Sequence, residues 1–180
     1  LSHDEVVHLK CSMLGKMPGD REDMFANLKL AYAYMCGHPG KKLLFMGQEF
    51  GQWNEWSEKR SLDWYLLEDE SHKELKDFTS ACLKLNKNYR CLYETDYNSE
   101  GFRWINANDK DNSVFSFIRI SPDKKKHLLF VLNFTPVERP SHRIGVPIKG
   151  KYKLVLGDDM KNQQKIIASK KGECDGYGES

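Results

Sequence analysis

The sequence predicts an α/β first half followed by an all-β second half with the pattern of an antiparallel β-sandwich. Up to about residue 89, two helix-forming patterns flank a short apolar run, which is typical of a β/α architecture. After that point, short β-rich runs alternate with turn-forming clusters, which is typical of a sandwich. We therefore predict two domains, residues 1–100 and 101–180, with the change falling within the window 95–112.

The first helix is predicted from a cap and a periodic face. Asp20 is a suitable N-cap, Asp23 follows three residues later, and residues 24–36 continue the pattern. One face carries the apolar side chains Phe25, Leu28, Tyr32 and Met35. The segment "GHPG" (37–40) contains glycine and proline, so it should end this helix.

A strand, a loop and a second helix are predicted next. The run "KLLFMG" (42–47) is apolar, as expected of a short parallel strand covered on both faces. The loop 48–69 is rich in tryptophan and charge, and a second amphipathic helix should run from about Glu70 to Tyr89. Its apolar positions recur at intervals of three and four residues: Leu75, Phe78, Cys82, Leu85 and Tyr89.

The second half contains the β-rich runs. Clusters such as "NDKDN" and "SPDKKK" separate them, and we interpret the lysines 124–126 as a solvated hairpin tip. The predicted strands are 102–107, 113–120, 127–134, 142–148, 151–157 and 164–169.

Composition excludes several function classes. With 28 basic and 26 acidic residues among 180, the net charge of +2 gives no argument for nucleic acid or an anionic membrane as a partner. The longest apolar stretches, such as "LLFVL" (128–132), are far shorter than a membrane span of roughly 20 residues. Five cysteines without a CxxC pair indicate neither a zinc site nor a disulfide framework, which fits a reducing cytoplasm. Residue 1 is leucine, so a targeting segment upstream would not be visible.

The first residues, "LSHDEV", contain a candidate ligand-binding pair. The imidazole of His3 can donate a hydrogen bond, and the carboxylate of Asp4 can accept two from adjacent ring hydroxyls. Active sites of β/α barrels lie at the carboxyl ends of the strands. The same cluster is also typical of a solvated chain end, and the sequence alone leaves both interpretations open.

The loop after the second predicted element offers aromatic and polar side chains for a carbohydrate. Flat aromatic faces stack on sugar rings, and here Trp53, Trp56, Trp64 and Tyr65 are available. Hydroxyl-binding candidates in the same loop are Gln48, Glu49, Asn54, Glu55, Arg60 and Asp63. Alternatively, the tryptophans pack the rim of the fold, and for Trp64 that interpretation is equally favoured. A nucleotide is favoured less, because "GKMPGD" lacks the spacing of a phosphate-binding loop.

Several motifs together resemble one known family. The segments "LSHDEVVH", "HPGKKLLFMGQEFGQW", "RSLDWYLL" and "NSVFSFIRI" resemble the bacterial 1,4-α-glucan (glycogen) branching enzymes of the α-amylase superfamily. The resemblance is densest over residues 1–67 and fades after about residue 160. It implies a C-terminal fragment: the last two β/α units of a (β/α)8 TIM barrel, then a β-sandwich that "ECDGYGES" suggests is incomplete.

The resemblance also implies roles for individual residues. "SHDE" matches the superfamily motif at the end of barrel strand seven, so Asp4 corresponds to the carboxylate that stabilises the transition state. His3 corresponds to the imidazole that bonds the same sugar, and Glu5 receives no catalytic role. The substrate-binding candidates are Gln48, Glu49, Trp53, Trp56, Arg60 and Asp63. No metal and no organic cofactor is implied.

Two catalytic groups of the family do not match any part of this sequence. A retaining mechanism needs a nucleophile and a general acid about 5 Å apart. In the family these come from strands four and five, which would precede Leu1, so we expect the 180 residues alone to be inactive. The resembled enzymes cut an α-1,4 bond of an α-glucan and transfer the segment to a 6-hydroxyl; we expect a monomer. A non-catalytic glucan-binding module and a superfamily hydrolase or debranching enzyme remain alternatives.

Overall fold

The computed structural model describes residues 3–148, 150–157 and 165–168. The chain divides into two units, Leu1–Asn88 and Tyr89–Ser180. This division lies earlier than the domain boundary predicted between residues 100 and 101. The reason is that the short 3-10 turns Arg90–Leu92 and Ser99–Gly101 pack against a strand of the second unit.

Helix α1 spans Arg21–Gly37, as its cap predicts. The Asp20 carboxylate accepts a hydrogen bond from the backbone N–H of Asp23 at 3.0 Å, which satisfies one of the free donors of the first turn. His38 is extended (φ −66°, ψ 143°) and precedes Pro39, so the helix ends there. The predicted first helix is therefore confirmed.

Helix α2 spans Glu70–Asn88 and also matches its prediction. Its buried face carries Leu75, Cys82 and Leu85 and packs on α1. At this contact the Cys36 thiol donates to the backbone carbonyl of Cys82 at 3.1 Å. At the surface, Lys29 and Glu74 form an ion pair of 3.2 Å between the two helices.

The predicted strand at residues 42–47 is wrong. Residues 41–45 have irregular backbone and residues 46–47 form a turn. A strand needs a neighbouring strand to receive its backbone hydrogen bonds, and residues 3–88 contain none. The backbone N–H of Phe45 instead donates to the Gln48 side-chain oxygen at 3.0 Å. Among residues 3–88, helices and turns therefore stand where the sequence predicted a β/α pattern.

The core of the first unit joins both helices to the start of the chain. Leu14, Leu28 and Leu75 are fully buried, and Val6 is 3% exposed beside them. Burying each such side chain contributes about 1.5–3 kcal/mol. Gly51 has φ +71°, and a Cβ there would lie 2.7 Å from Leu75 Cδ2, so the loop passes close over the core only because this residue is glycine. The core therefore fixes the segment that follows the candidate pair.

The described residues of the second unit form two antiparallel sheets. Strands β1 (Phe102–Asp109), β2 (Val114–Ile120) and β3 (His127–Asn133) form one sheet in that order. Strands β4 (Gly150–Lys153) and β5 (Lys165–Ala168) form the other. Residues 142–148, predicted as a strand, form irregular backbone with a bend at 147–148 instead. Pro147 has no N–H to donate to a ladder, which disfavours a strand there.

Aromatic stacking and a buried ion pair hold the three-stranded sheet. Phe117 and Phe130 are stacked with ring centroids 4.9 Å apart. Arg119 is fully buried and lies 2.7 Å from the Asp96 carboxylate. Directly after β2, the backbone N–H of Ser121 donates to the carbonyl of Lys126 at 2.9 Å, and Lys124 and Lys125 are exposed. The predicted hairpin tip is confirmed.

Candidate functional site

The candidate pair lies on an exposed turn. Residues His3–Glu5 form one 3-10 turn, which the Val6 N–H closes by donating to the His3 carbonyl at 3.0 Å. His3 Nε2 lies 3.0 Å from Asp4 Oδ1. The two side chains are 60% and 70% exposed. The pair is therefore formed in the structure and is accessible to a ligand on the surface.

Lysine side chains secure the backbone of this turn. Lys10 Nζ donates to the Asp4 carbonyl at 2.9 Å. Lys16 donates to the Glu5 carbonyl and lies 3.9 Å from the Glu5 carboxylate. Glu5 thus has a cationic partner of its own, whereas the Asp4 carboxylate contacts only His3 among the ion pairs of the described residues. The chemical role of Asp4, and the absence of one for Glu5, remain predictions.

Trp56 lies on the same side of the unit as the pair. The His3 and Phe45 rings are 6.0 Å apart, and the Phe45 and Trp56 rings are 5.2 Å apart at 72°. The Trp56 indole N–H donates to Met46 Sδ at 3.1 Å, and its backbone N–H donates to the Val6 carbonyl at 3.1 Å. Phe45 therefore connects the two predicted site segments. The sequence gives no sign of this position for Phe45, because the apolar run that contains it predicts a buried strand.

Trp53 lies elsewhere, among the helices. Its ring is edge-on to Phe25 at 6.2 Å and to His72 at 6.0 Å, and the Arg21 guanidinium lies over it at 5.9 Å. Trp64 is 54% exposed and packs beside Phe50 at 5.3 Å. Trp53 and Trp56 are both half-buried and pack against the core of the first unit, so the packing alternative fits both, and the stacking role remains a prediction for each.

Two polar candidates are buried and hold the loop itself. Gln48 is 4% exposed, and its side-chain oxygen accepts from Phe45 as described above. Asp63 is 9% exposed; its carboxylate accepts from the Asn54 side chain at 2.7 Å, and its N–H donates to the Gln52 side chain at 3.0 Å. Gln52 was not predicted, and nothing in its spacing distinguishes it. These contacts fix the loop between the two helices.

The remaining two candidates are more accessible. Glu49 is half-buried. Burial of the Tyr32 hydroxyl raises its pKa above the ordinary value, and the negative charge of Glu49 raises this pKa further. Arg60 is exposed, and its guanidinium donates to the Glu55 carbonyl at 2.6 Å. Because the Glu55 carboxylate accepts from the backbone N–H groups of Leu9 and Cys11, Arg60 lies near the segment that follows the candidate pair. A ligand role for Glu49 and for Arg60 remains a prediction.

The space around these residues limits what they can bind. A small cavity of about 10 Å³ lies between Val6, Gln48 and Trp56, which is room for about one water molecule. A sugar ring is far larger, so this cavity could not enclose a saccharide. Among the described residues, no cluster of three metal-ligating side chains is found, and no helix has the length and apolar character of a membrane span.

Comparisons with known proteins connect both units to one group. Residues 104–179 match the family described as alpha amylase, C-terminal all-beta domain. A protein of Butyrivibrio fibrisolvens named 1,4-alpha-glucan branching enzyme GlgB is 50% identical over 182 residues, which cover 97% of this chain and 28% of that protein. The GlgB proteins of Thiobacillus denitrificans and Aquifex aeolicus are 52% and 48% identical, covering 88% and 89% of this chain and 22% and 26% of their own lengths.

The matches cover most of this chain but only a part of each relative. The chain spans roughly a quarter of the length of the curated relatives that it matches. The all-β match lies within the second unit, where the antiparallel sheets are found. The resemblance that the motifs indicate is therefore confirmed: over nearly its whole length, this chain is similar to a segment of the bacterial 1,4-alpha-glucan branching enzymes named GlgB.

Proposed function

We propose that this chain is the C-terminal part of a 1,4-α-glucan branching enzyme. Residues 1–100 would complete a (β/α)8 barrel, and residues 101–180 would form its C-terminal β-sandwich. The observation that carries the proposal is the 50% identity over 97% of the chain with a protein of that name. The exposed His3–Asp4 pair, which Phe45 connects to Trp56, supports it, because the pair offers a carboxylate and an imidazole to a sugar at the surface.

The proposed chemistry is retaining transglycosylation. A nucleophile and a general acid from residues outside this sequence would break the α-1,4 bond and hold the segment covalently until a glucan 6-hydroxyl accepts it. Positive charge develops on the sugar ring in the transition state, and a fixed carboxylate stabilises it. Asp4 would supply that carboxylate. His3 Nε2 lies 3.0 Å from Asp4 Oδ1, so the imidazole stands directly beside the carboxylate that this proposal assigns to the transition state.

The wider assignments follow from the same proposal. The macromolecular partner would be an α-glucan such as glycogen, and the enzyme would act in the cytoplasm, as a monomer, in glycogen biosynthesis. Trp56 would offer an apolar face to the glucan near the pair, since its ring lies beside Phe45, which contacts His3. No metal or organic cofactor is needed for this chemistry.

The test uses the natural gene product that carries this sequence. Asp4→Asn removes the negative charge with little change in shape, so branching should fall on the order of 100-fold or more at nearly unchanged thermal stability. Branching is measured by iodine staining of amylose and by counting new α-1,6 linkages. Glu5→Gln is the matched control, because it changes the adjacent carboxylate, which is paired with Lys16 and has no proposed catalytic role.

Three outcomes would count against parts of the proposal. Full branching by the Asp4→Asn variant would reject the role of Asp4. Release of reducing ends from amylose without new branch points would favour a hydrolase. New α-1,6 linkages formed by the 180-residue chain as the sole protein would contradict the expectation that it is inactive alone.

A further inference from the structure

The turn that follows the candidate pair has an unusual backbone. His8, Leu9 and Cys11 have φ values of 60°, 63° and 66°, in the left-handed region that residues other than glycine rarely adopt. Leu9 is 96% exposed, so side-chain packing does not hold it there. Some other interaction must therefore compensate the unfavourable conformation of this turn.

The Glu55 carboxylate supplies that interaction. Its Oε2 accepts from the backbone N–H of Leu9 at 3.0 Å, and its Oε1 accepts from the backbone N–H of Cys11 at 2.7 Å. Left-handed turns direct neighbouring N–H groups to one side and form a concave site for an anion. Here the anion is a side chain of the protein, and hydrogen bonds to a charged acceptor are stronger than neutral ones.

Glu55 is itself held in place. The Arg60 guanidinium donates to its backbone carbonyl at 2.6 Å. The next residue, Trp56, donates its N–H to the Val6 carbonyl at 3.1 Å. Each carboxylate oxygen is thus bonded to a backbone amide, and the hydroxyl-binding role considered for Glu55 from the sequence remains a prediction.

The turn at residues 8–11 is also connected to the His3–Asp4 pair. Lys10 lies between the two residues whose amides Glu55 binds, and its Nζ donates to the Asp4 carbonyl at 2.9 Å. We infer that Glu55 is a positioning residue: it orders residues 8–11 and thereby fixes the location of His3 and Asp4. As a role in catalysis, this rests on the proposed function.

The experiment compares Glu55→Gln with Glu58→Gln in the natural gene product. Both variants remove one carboxylate from the same loop, and Glu58 is exposed. A glutamine has one acceptor oxygen and would turn its NH2 toward an amide donor, so one hydrogen bond to the turn is lost. Amide hydrogen exchange at Leu9 and Cys11 should become at least about tenfold faster in Glu55→Gln and stay unchanged in Glu58→Gln.

Steady-state kinetics provide the second measurement. We expect Glu55→Gln to lower kcat on the order of 10- to 100-fold with KM for glucan nearly unchanged, since it displaces a group that acts in the transition state. Adding Leu9→Gly should recover part of this loss, because glycine adopts a φ of 63° without steric cost. Such rescue distinguishes a strained turn from a general loss of folding.

The outcomes separate this inference from the function on which it depends. Unchanged exchange at Leu9 and Cys11, or protection lost equally across α2, would overturn the ordering role whatever the activity. Normal kcat in Glu55→Gln, with activity abolished in Asp4→Asn, would reject the positioning role alone. Normal kcat in both variants would reject the role of Asp4, and absence of branching in the unchanged gene product would reject the proposed function. In either case the exchange data would still decide whether Glu55 orders the turn.

Discussion

The buried ion pair of the second unit allows a quantitative prediction. The Arg119 side chain is fully buried, and the Asp96 side chain is 4% exposed. Arg119 Nη2 donates to Asp96 Oδ1 at 2.7 Å, and its Nε donates to the Gly101 carbonyl at 3.2 Å. Asp96→Asn would remove the carboxylate that pairs with this buried guanidinium, which costs about 3–5 kcal/mol. That is a large part of the roughly 5–15 kcal/mol by which a domain is stable.

Hydrogen exchange can measure this loss. Because each 1.4 kcal/mol is a factor of ten, protection of the β2 and β3 amides should fall by roughly 100-fold or more in Asp96→Asn. Arg119 lies opposite Leu128 of β3 and Phe102 of β1, so peptides from all three strands should respond. Asp111→Asn is the control, since it removes an exposed carboxylate from the turn between β1 and β2.

The double variant tests whether the buried charge of Arg119 causes the loss of protection. Arg119→Met added to Asp96→Asn removes the buried cation as well, and apolar replacement of a buried pair is often neutral or stabilising. We therefore expect the double variant to recover much of the lost protection. Equal or greater loss in the double variant, or no loss in Asp96→Asn, would refute the reasoning.

Two further predictions concern thiols and pH. Cys11 is exposed, whereas a hydrogen bond with Cys36 and burial raise the pKa of Cys82, and burial raises the pKa of Cys91 to about 11. Iodoacetamide should therefore modify Cys11 well before Cys82 and Cys91, as peptide mass spectrometry would show. Burial lowers the pKa of His127, so its neutral form is favoured in the fold and stability should decrease as pH falls below about 6.5. Thermal unfolding from pH 8 to 5 checks this, and His127→Gln should remove that part of the decrease.

Local signals predicted the parts of the fold that depend on local interactions. Asp20 caps α1 through its own backbone neighbour, and the turn cluster 121–126 closes the hairpin between β2 and β3. The strand expected at 42–47 depends instead on a partner distant in the sequence. An apolar run indicates that a segment is compatible with a strand, but it does not show which other segment would pair with it.

The candidate site shows the same limit. His3 and Asp4 are adjacent in the sequence, so their proximity required no knowledge of the fold. Trp53 and Trp56 have the same residue type in the same loop, and the sequence could not separate them. The contacts of Trp53 with Phe25 and His72 assign it to the helices, whereas Phe45 connects Trp56 to His3.

The way the pair is held determines which substitutions should matter. Its turn is bound mostly through backbone atoms: the Val6 carbonyl accepts from Trp56 N, and the Asp4 carbonyl accepts from Lys10. A ligand at an exposed pair cannot rely on burial for orientation, so the backbone must fix the carboxylate before the ligand arrives. Activity should therefore respond more to changes at the acceptors and donors of this turn than to changes at Trp53, which contributes to packing between the helices. Side chains whose chemistry suits a sugar, such as tryptophan, therefore need not be those on which sugar binding depends.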